Sequence, residues 1–131
     1  MPPRRQRITN QVGAEAGLKL LNSSISEADF QQMVLDFARL QGWLAAHTKD
    51  SRRSEPGCYD GVLVRPPRFL VVELKREGAQ LRKGHLSPHT GRWLPGQVEW
   101  AEAAMGCPGV EYYLWRPSDW PEIVRTLTLK S

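Results

Sequence analysis

Asp60, Glu73 and Lys75 are the residues of this chain whose types and spacing can do chemistry. Asp60 enters the apolar run Gly61-Val62-Leu63-Val64, and Glu73 and Lys75 close the run that begins Phe69-Leu70-Val71-Val72, with Pro66-Pro67 between the two. Charged groups sit in runs this apolar when they are paired or when they bind something, because a bare charge loses its hydration there. Side chains alternate along a strand, so Glu73 and Lys75 share a face with Val71 while Leu70, Val72 and Leu74 take the other. If the two runs pair as strands, Asp60 approaches Glu73 at the end of the sheet. Two carboxylates are hard oxygen donors suited to a divalent cation such as Mg2+. With a lysine beside them they point to metal-assisted hydrolysis of a phosphodiester, whose negative charge must be neutralised before a nucleophile approaches. A salt-bridge cluster at a sheet edge is the structural alternative for the same three residues.

The elements that must position these residues follow from hydrophobic spacing. A helix is predicted from about Ser26 to Gln41, with Phe30, Met33, Val34, Phe37 and Ala38 on one face and Asp29, Gln32, Asp36 and Arg39 opposite. Gly42 stops it, and Ser24-x-x-Glu27 reads as its capping box. Trp43 to Thr48 reads as a strand, and Lys49 to Pro56 as a polar loop whose Arg52 and Arg53 can meet phosphates bidentately. Gly61–Val64 and Phe69–Lys75 read as central strands covered on both faces. Arg76 to Pro95 reads as a long irregular segment with Arg76, Arg82, Lys83, His85, His89 and Arg92, of a length that usually serves function or motion. Gly96 to Met105 is predicted helical with Val98, Ala101, Ala104 and Met105 inward. Val110 to Trp115 is a further strand, and Pro117 to Pro121 a turn into a short last helix. Residues 1–24, with Arg4, Arg5 and Arg7, read as a basic appendage to a folded unit over 25–131.

Asp60 followed, after twelve intervening residues, by Glu73-x-Lys75 resembles the signature of the PD-(D/E)xK nucleases. The motifs around it come in a recognisable order. Ser26-Glu27 opens a helix that ends near Gly42-Trp43, His47 precedes Asp50-Ser51-Arg52-Arg53-Ser54, and Gly57 leads into Asp60. Gln97 and Trp100 open a later helix, and Trp115-Arg116-Pro117-Ser118-Asp119-Trp120 closes the core. Over roughly Ser26 to Thr126 this order resembles the VRR-NUC (virus-type replication-repair nuclease) branch.

The resemblance implies an α/β fold of the restriction-endonuclease-like kind, a mixed central β-sheet flanked by helices. It implies Mg2+ or Mn2+ held by Asp60, Glu73 and the backbone carbonyl of Leu74, with Glu27 contributing to the metal site. Lys75 is then expected to orient or help deprotonate the attacking water, or to stabilise the charge that develops, and Gln97 to hold water or phosphate through its amide. The implied reaction is DNA cleavage leaving a 5′-phosphate and a 3′-hydroxyl. The implied substrate is branched DNA such as a Holliday junction, cut by a homodimer, with Arg52, Arg53, Arg76, Arg82 and Lys83 on the DNA. Two departures stand out. Tyr59 occupies the place where the family typically has proline, which predicts a looser approach to Asp60, and the 76–95 connection is longer than the family's.

Bulk properties agree with such a partner. At 131 residues one domain is expected, and 40% hydrophobic content with five tryptophans argues against disorder. A net charge of +4 suits a polyanion. Two cysteines make no disulfide framework. No apolar run reaches the length of a membrane span, and the basic N-terminus lacks the hydrophobic stretch of a secretory signal. The expectation is a protein of the cytoplasm of a bacterium or a phage-infected host cell. A zinc site from Cys58, His85, His89 and Cys107 is disfavoured, because no CxxC pair exists and the spacings are irregular. His47 reads as a core or rim histidine. Two rivals remain: a branched-DNA-binding module of the same fold without cleavage, and a restriction-type nuclease reading base edges, for which only the 76–95 segment has length to spare.

Overall fold

Ser26, not Ser24, caps the principal helix. The hydroxyl of Ser26 accepts the N–H of Asp29 at 3.1 Å, whereas the Ser24 hydroxyl donates back to the Leu21 carbonyl at 2.8 Å inside the preceding helix. The N-cap is thereby shifted by two residues from the expected one, because Ser24 still belongs to helical backbone. The computed structural model describes residues 16–48 and 57–128. Residues 16–24 form helix α1, and α2 spans Glu27–Leu40. Gly42, at φ +89°, ends α2 in the left-handed conformation that glycine adopts without penalty, and the Trp43 N–H reaches back to the Ala38 carbonyl at 3.0 Å.

The buried face of α2 is Phe30, Gln31, Val34, Leu35 and Ala38. Met33, expected inward, is exposed, and Leu35 takes a core position instead. The cause is the direction in which the helix packs: it lies on β1 and β3, which rotates Gln31 and Leu35 inward and leaves Met33 on the flank.

Four strands make a mixed sheet in the order β1-β2-β3-β6. Strand β1 is Leu44–His47, β2 Gly61–Arg65 and β3 Arg68–Leu74. These three are antiparallel to their neighbours, and β6 (Glu111–Trp115) joins β3 in parallel. A parallel pair needs a long crossover. Here the crossover holds a two-stranded ribbon, β4 (His85–Leu86) with β5 (Trp93–Leu94), and then helix α3 (Gln97–Met105). The segment expected to be irregular is therefore partly a hairpin, whose two-residue strands are too short to leave a periodic signal. After β6 a 3-10 turn, Pro117–Asp119, leads into α4 (Trp120–Thr128).

One face of the sheet carries the core. Leu63, Leu70, Val72, Leu74 and Trp115 meet Phe30, Val34, Leu35 and Ala38 of α2 and Ile123 and Leu127 of α4. Burying each of these large side chains contributes roughly 1.5–3 kcal/mol before chain entropy is counted. Trp43 ties the start of β1 to the end of α4, its Nε1 donating to the Leu127 carbonyl at 2.8 Å. The opposite face of β3 and β6 carries Val71, Glu73 and Tyr112, and α3 packs against β6 there. In α3, Ala101 and Ala104 turn inward as expected; Gln97 is buried and Met105 is not.

Candidate active site

Asp60 is held at the sheet end by both neighbouring strands. Its N–H donates to the Val72 carbonyl at 3.0 Å and its carbonyl accepts the Thr48 N–H at 2.9 Å. Val72 is also the register partner of Gly61, so two residues of one strand face one of the other. That is the arrangement of a β-bulge, which re-aims the side chain at its corner. The Asp60 carboxylate consequently lies in line with the strands, where Oδ2 accepts the N–H of Leu74 at 2.8 Å. The N–H of the next residue, Lys75, points the other way and donates to the Trp115 carbonyl of β6 at 3.0 Å. Asp60 thus touches the backbone between Glu73 and Lys75.

All three are removed from solvent: Asp60 is 1% exposed, Glu73 0% and Lys75 8%. Gln97, the first residue of α3, is 1% exposed and sits over the pair. Its Nε2 donates to Glu73 Oε2 at 3.4 Å and its Oε1 accepts the Arg82 N–H at 3.1 Å. The amide expected to hold water or phosphate thus contacts protein through both its nitrogen and its oxygen. No ion pair between Lys75 and either carboxylate is found among the described residues.

Two tyrosines, Tyr59 and Tyr112, lie near the carboxylates, and only Tyr59 stood out in the sequence. Tyr59 is fastened at both ends: its hydroxyl donates to the Trp100 carbonyl at 2.7 Å, and its own carbonyl accepts the Thr48 hydroxyl. Its ring packs edge-on against Trp100 at 5.6 Å. A tyrosine in place of proline thus leaves the approach to Asp60 restrained, by hydrogen bonds instead of a ring. Burial raises the hydroxyl pKa of Tyr112, and the carboxylates of Glu73 and Asp60 raise it further. The two carboxylates therefore act on one phenol, which stays protonated. Burial likewise raises Tyr59, with Cys58, Cys107 and Glu73 adding to it. Strand alternation separates Tyr112 from Tyr113, but only the parallel pairing of Tyr112 with Val71 places it at this site.

The remaining expected residues fall differently. Glu27 is the first residue of α2, half-buried. One turn on, along the same helix face, Gln31 lies 3.0 Å from His47 Nε2, and the register partner of His47 is Gly61. Glu27 is not gathered with Asp60 and Glu73: no group of three or more His, Cys, Asp or Glu able to hold a metal is found among the described residues. The same finding leaves Cys58, His85, His89 and Cys107 unassembled as a zinc site. Arg76, Arg82 and Lys83 lie exposed on the segment that leaves Lys75. Arg52 and Arg53, like Arg4, Arg5 and Arg7, lie outside the described residues.

The pair itself fits a hard cation. Mg2+ is bound by one or two carboxylates, with water and substrate phosphate completing its octahedron. Buried Asp60 and Glu73 offer carboxylate oxygens of that kind at one sheet end.

Among the described residues, no helix is long and apolar enough to cross a membrane. The chain matches no family model, no curated protein and no solved structure. Fold and site thus define a protein with a mixed α/β sheet and a buried carboxylate pair at its end.

Proposed function

We propose that this chain is a restriction-endonuclease-like, VRR-NUC-type nuclease that hydrolyses DNA phosphodiesters with Mg2+ or Mn2+ and acts on branched DNA. The observation that carries the reading is the Asp60 Oδ2–Leu74 N–H bond, which fastens buried Asp60 to the backbone between buried Glu73 and Lys75 at one sheet end.

Asp60, Glu73 and the Leu74 carbonyl would hold the cation. When bound, the ion neutralises phosphate charge, orients the attacking water and stabilises the leaving oxygen. Lys75 contributes an ammonium on the same strand face as Glu73, where it orients the water or balances charge developing on the phosphate. Gln97 keeps Glu73 in place, and Tyr112 stays neutral and able to donate. A homodimer suits the reading, since two sites related by a two-fold cut two strands symmetrically.

The test is cleavage of a labelled four-way junction and of matched linear duplex by the full chain in Mg2+, Mn2+ or EDTA. Metal-dependent symmetric cutting of the junction supports the reading. Equal cutting of both DNAs keeps the nuclease and removes the junction preference. Binding without cutting in any metal turns the assignment to an inert DNA-binding module.

A further inference from the structure

The ribbon β4–β5 is inserted between the two parts of the candidate site, after Lys75 and before Gln97. Its root is two hydrogen bonds from a catalytic carboxylate: the Arg82 N–H donates to Gln97, and Gln97 donates to Glu73. The Val98 N–H returns to the Arg82 carbonyl at 3.0 Å. Gly96 lets the backbones close, since a Cβ there would lie 2.5 Å from the Lys83 carbonyl carbon. The ribbon is therefore fixed to the site at its base.

Its two faces differ. His85 pairs with Leu94 and Leu86 with Trp93, so each pair shares a face. His85 and Leu94 line a small cleft of about 70 Å³ with Gly57 and Gly96 of the body. Leu86 and Trp93 occupy the other face, 64% and 57% exposed. The Trp93 ring lies across bare backbone at Gly84, where a Cβ would come within 2.5 Å of its Cζ2. One side of the indole is seated and the rest is open. Residues 76–95 carry four Arg or Lys against the single acid Glu77. A large apolar side chain seldom stands this open on a basic arm unless something covers it.

We infer that the β4–β5 ribbon is a DNA-engaging wedge on which Trp93 stacks an unpaired or unstacked base, with Arg82, Lys83 and Arg92 on the flanking phosphates. The occupant follows from charge and shape: phosphates match the cations, and a base is the flat apolar group that a nucleic acid offers to an open indole. Bases in linear duplex are stacked on each other and unavailable, so the wedge selects forks and junctions, where the chain is splayed. This rests on the proposed function for its choice of DNA but not on cleavage.

The test is fluorescence anisotropy in EDTA with the full chain, on a four-way junction, a splayed fork and linear duplex of matched sequence. Trp93→Ala is expected to weaken binding to fork and junction roughly five- to hundred-fold, the loss typical of one stacked base, and to change duplex binding far less. Trp93→Phe, which keeps a ring, restores most of the difference. Equal affinities of wild type and Trp93→Ala on all three DNAs overturn the inference, as does an equal loss on all three or no binding by wild type. Binding that discriminates forks through Trp93, together with no cleavage in any metal, keeps the wedge and removes the nuclease.

Discussion

Leu74 donates its backbone N–H to Oδ2 of Asp60 at 2.8 Å. A side chain here takes the place that a neighbouring strand's carbonyl would fill, and it does so just before β2 begins. The bond explains why Asp60 sits beside Glu73 and Lys75, and it separates the two things Asp60 does: accept a hydrogen bond and carry a charge.

Substitution can divide those roles. Asp60→Asn keeps an acceptor for Leu74 and removes a negative charge next to Glu73. In EDTA this variant is expected to be more stable than Asp60→Ala. Asp60→Ala loses the acceptor and leaves a buried N–H, at about 1–3 kcal/mol. Urea unfolding in EDTA distinguishes them. Adding Mg2+ stabilises wild type by mass action and neither variant.

Lys75 is buried along its stem but not paired with either carboxylate. Lys75→Met keeps most of the stem's packing and removes the ammonium. Single-turnover cleavage is expected to fall about 10²- to 10⁴-fold, the usual worth of such a group, with thermal stability nearly unchanged.

Two glycines separate backbone strain from crowding at the site. Gly57 has φ +85° and a Cβ there would lie 2.8 Å from the Gly96 carbonyl carbon and 3.1 Å from the Gln97 nitrogen. Gly91 has φ +70° with nothing within 4 Å. Gly91→Ala is expected to cost about 1 kcal/mol from conformation alone. Gly57→Ala costs more, and by pushing on the start of α3 it displaces Gln97 from Glu73 and lowers cleavage. Denaturation and cleavage rates measured on both variants check this.

Arg68 binds Glu111 through two hydrogen bonds of 2.8 and 2.7 Å, donates to the Thr126 carbonyl and stacks over Trp43 at 5.2 Å. The hydrogen bond from Arg68 holds the Glu111 carboxyl below its ordinary value. A depressed carboxylate contributes stability above the unfolded pKa of about 4.3, and loses it as pH falls through the folded value. Glu111→Gln is expected to destabilise by about 1 kcal/mol at pH 7, given partial solvent exposure. The gap to wild type narrows as unfolding is repeated at pH values below 4.3 and falling.

Much of this arrangement was legible in the sequence. The alternation in Phe69–Lys75 assigned Glu73 and Lys75 to one face, and the Pro-Pro turn predicted the pairing that carries Asp60 to Glu73; the register agrees. The mixed α/β class and the order of the main elements were legible for the same reason, since period and breakers are local. What depends on packing direction was not. Gln31 and Leu35 became core because α2 turns that face to the sheet, and Tyr112 joined the site through a parallel pairing across forty residues of sequence. The β4–β5 ribbon has two-residue strands, which carry no period. Gln97 was singled out in the sequence, but its two protein partners come from the hairpin root and β3, which only the fold brings together.

The central claim is that Asp60 and Glu73 together hold one divalent cation. Mn2+ binding to the full chain, followed by the loss of the free-ion electron paramagnetic resonance signal, tests it without any substrate. Wild type and Lys75→Met are expected to bind Mn2+ at one site that Asp60→Asn and Glu73→Gln each weaken at least about tenfold, as loss of a charged ligand implies. Equal binding in all four proteins, or none in wild type, would contradict the claim.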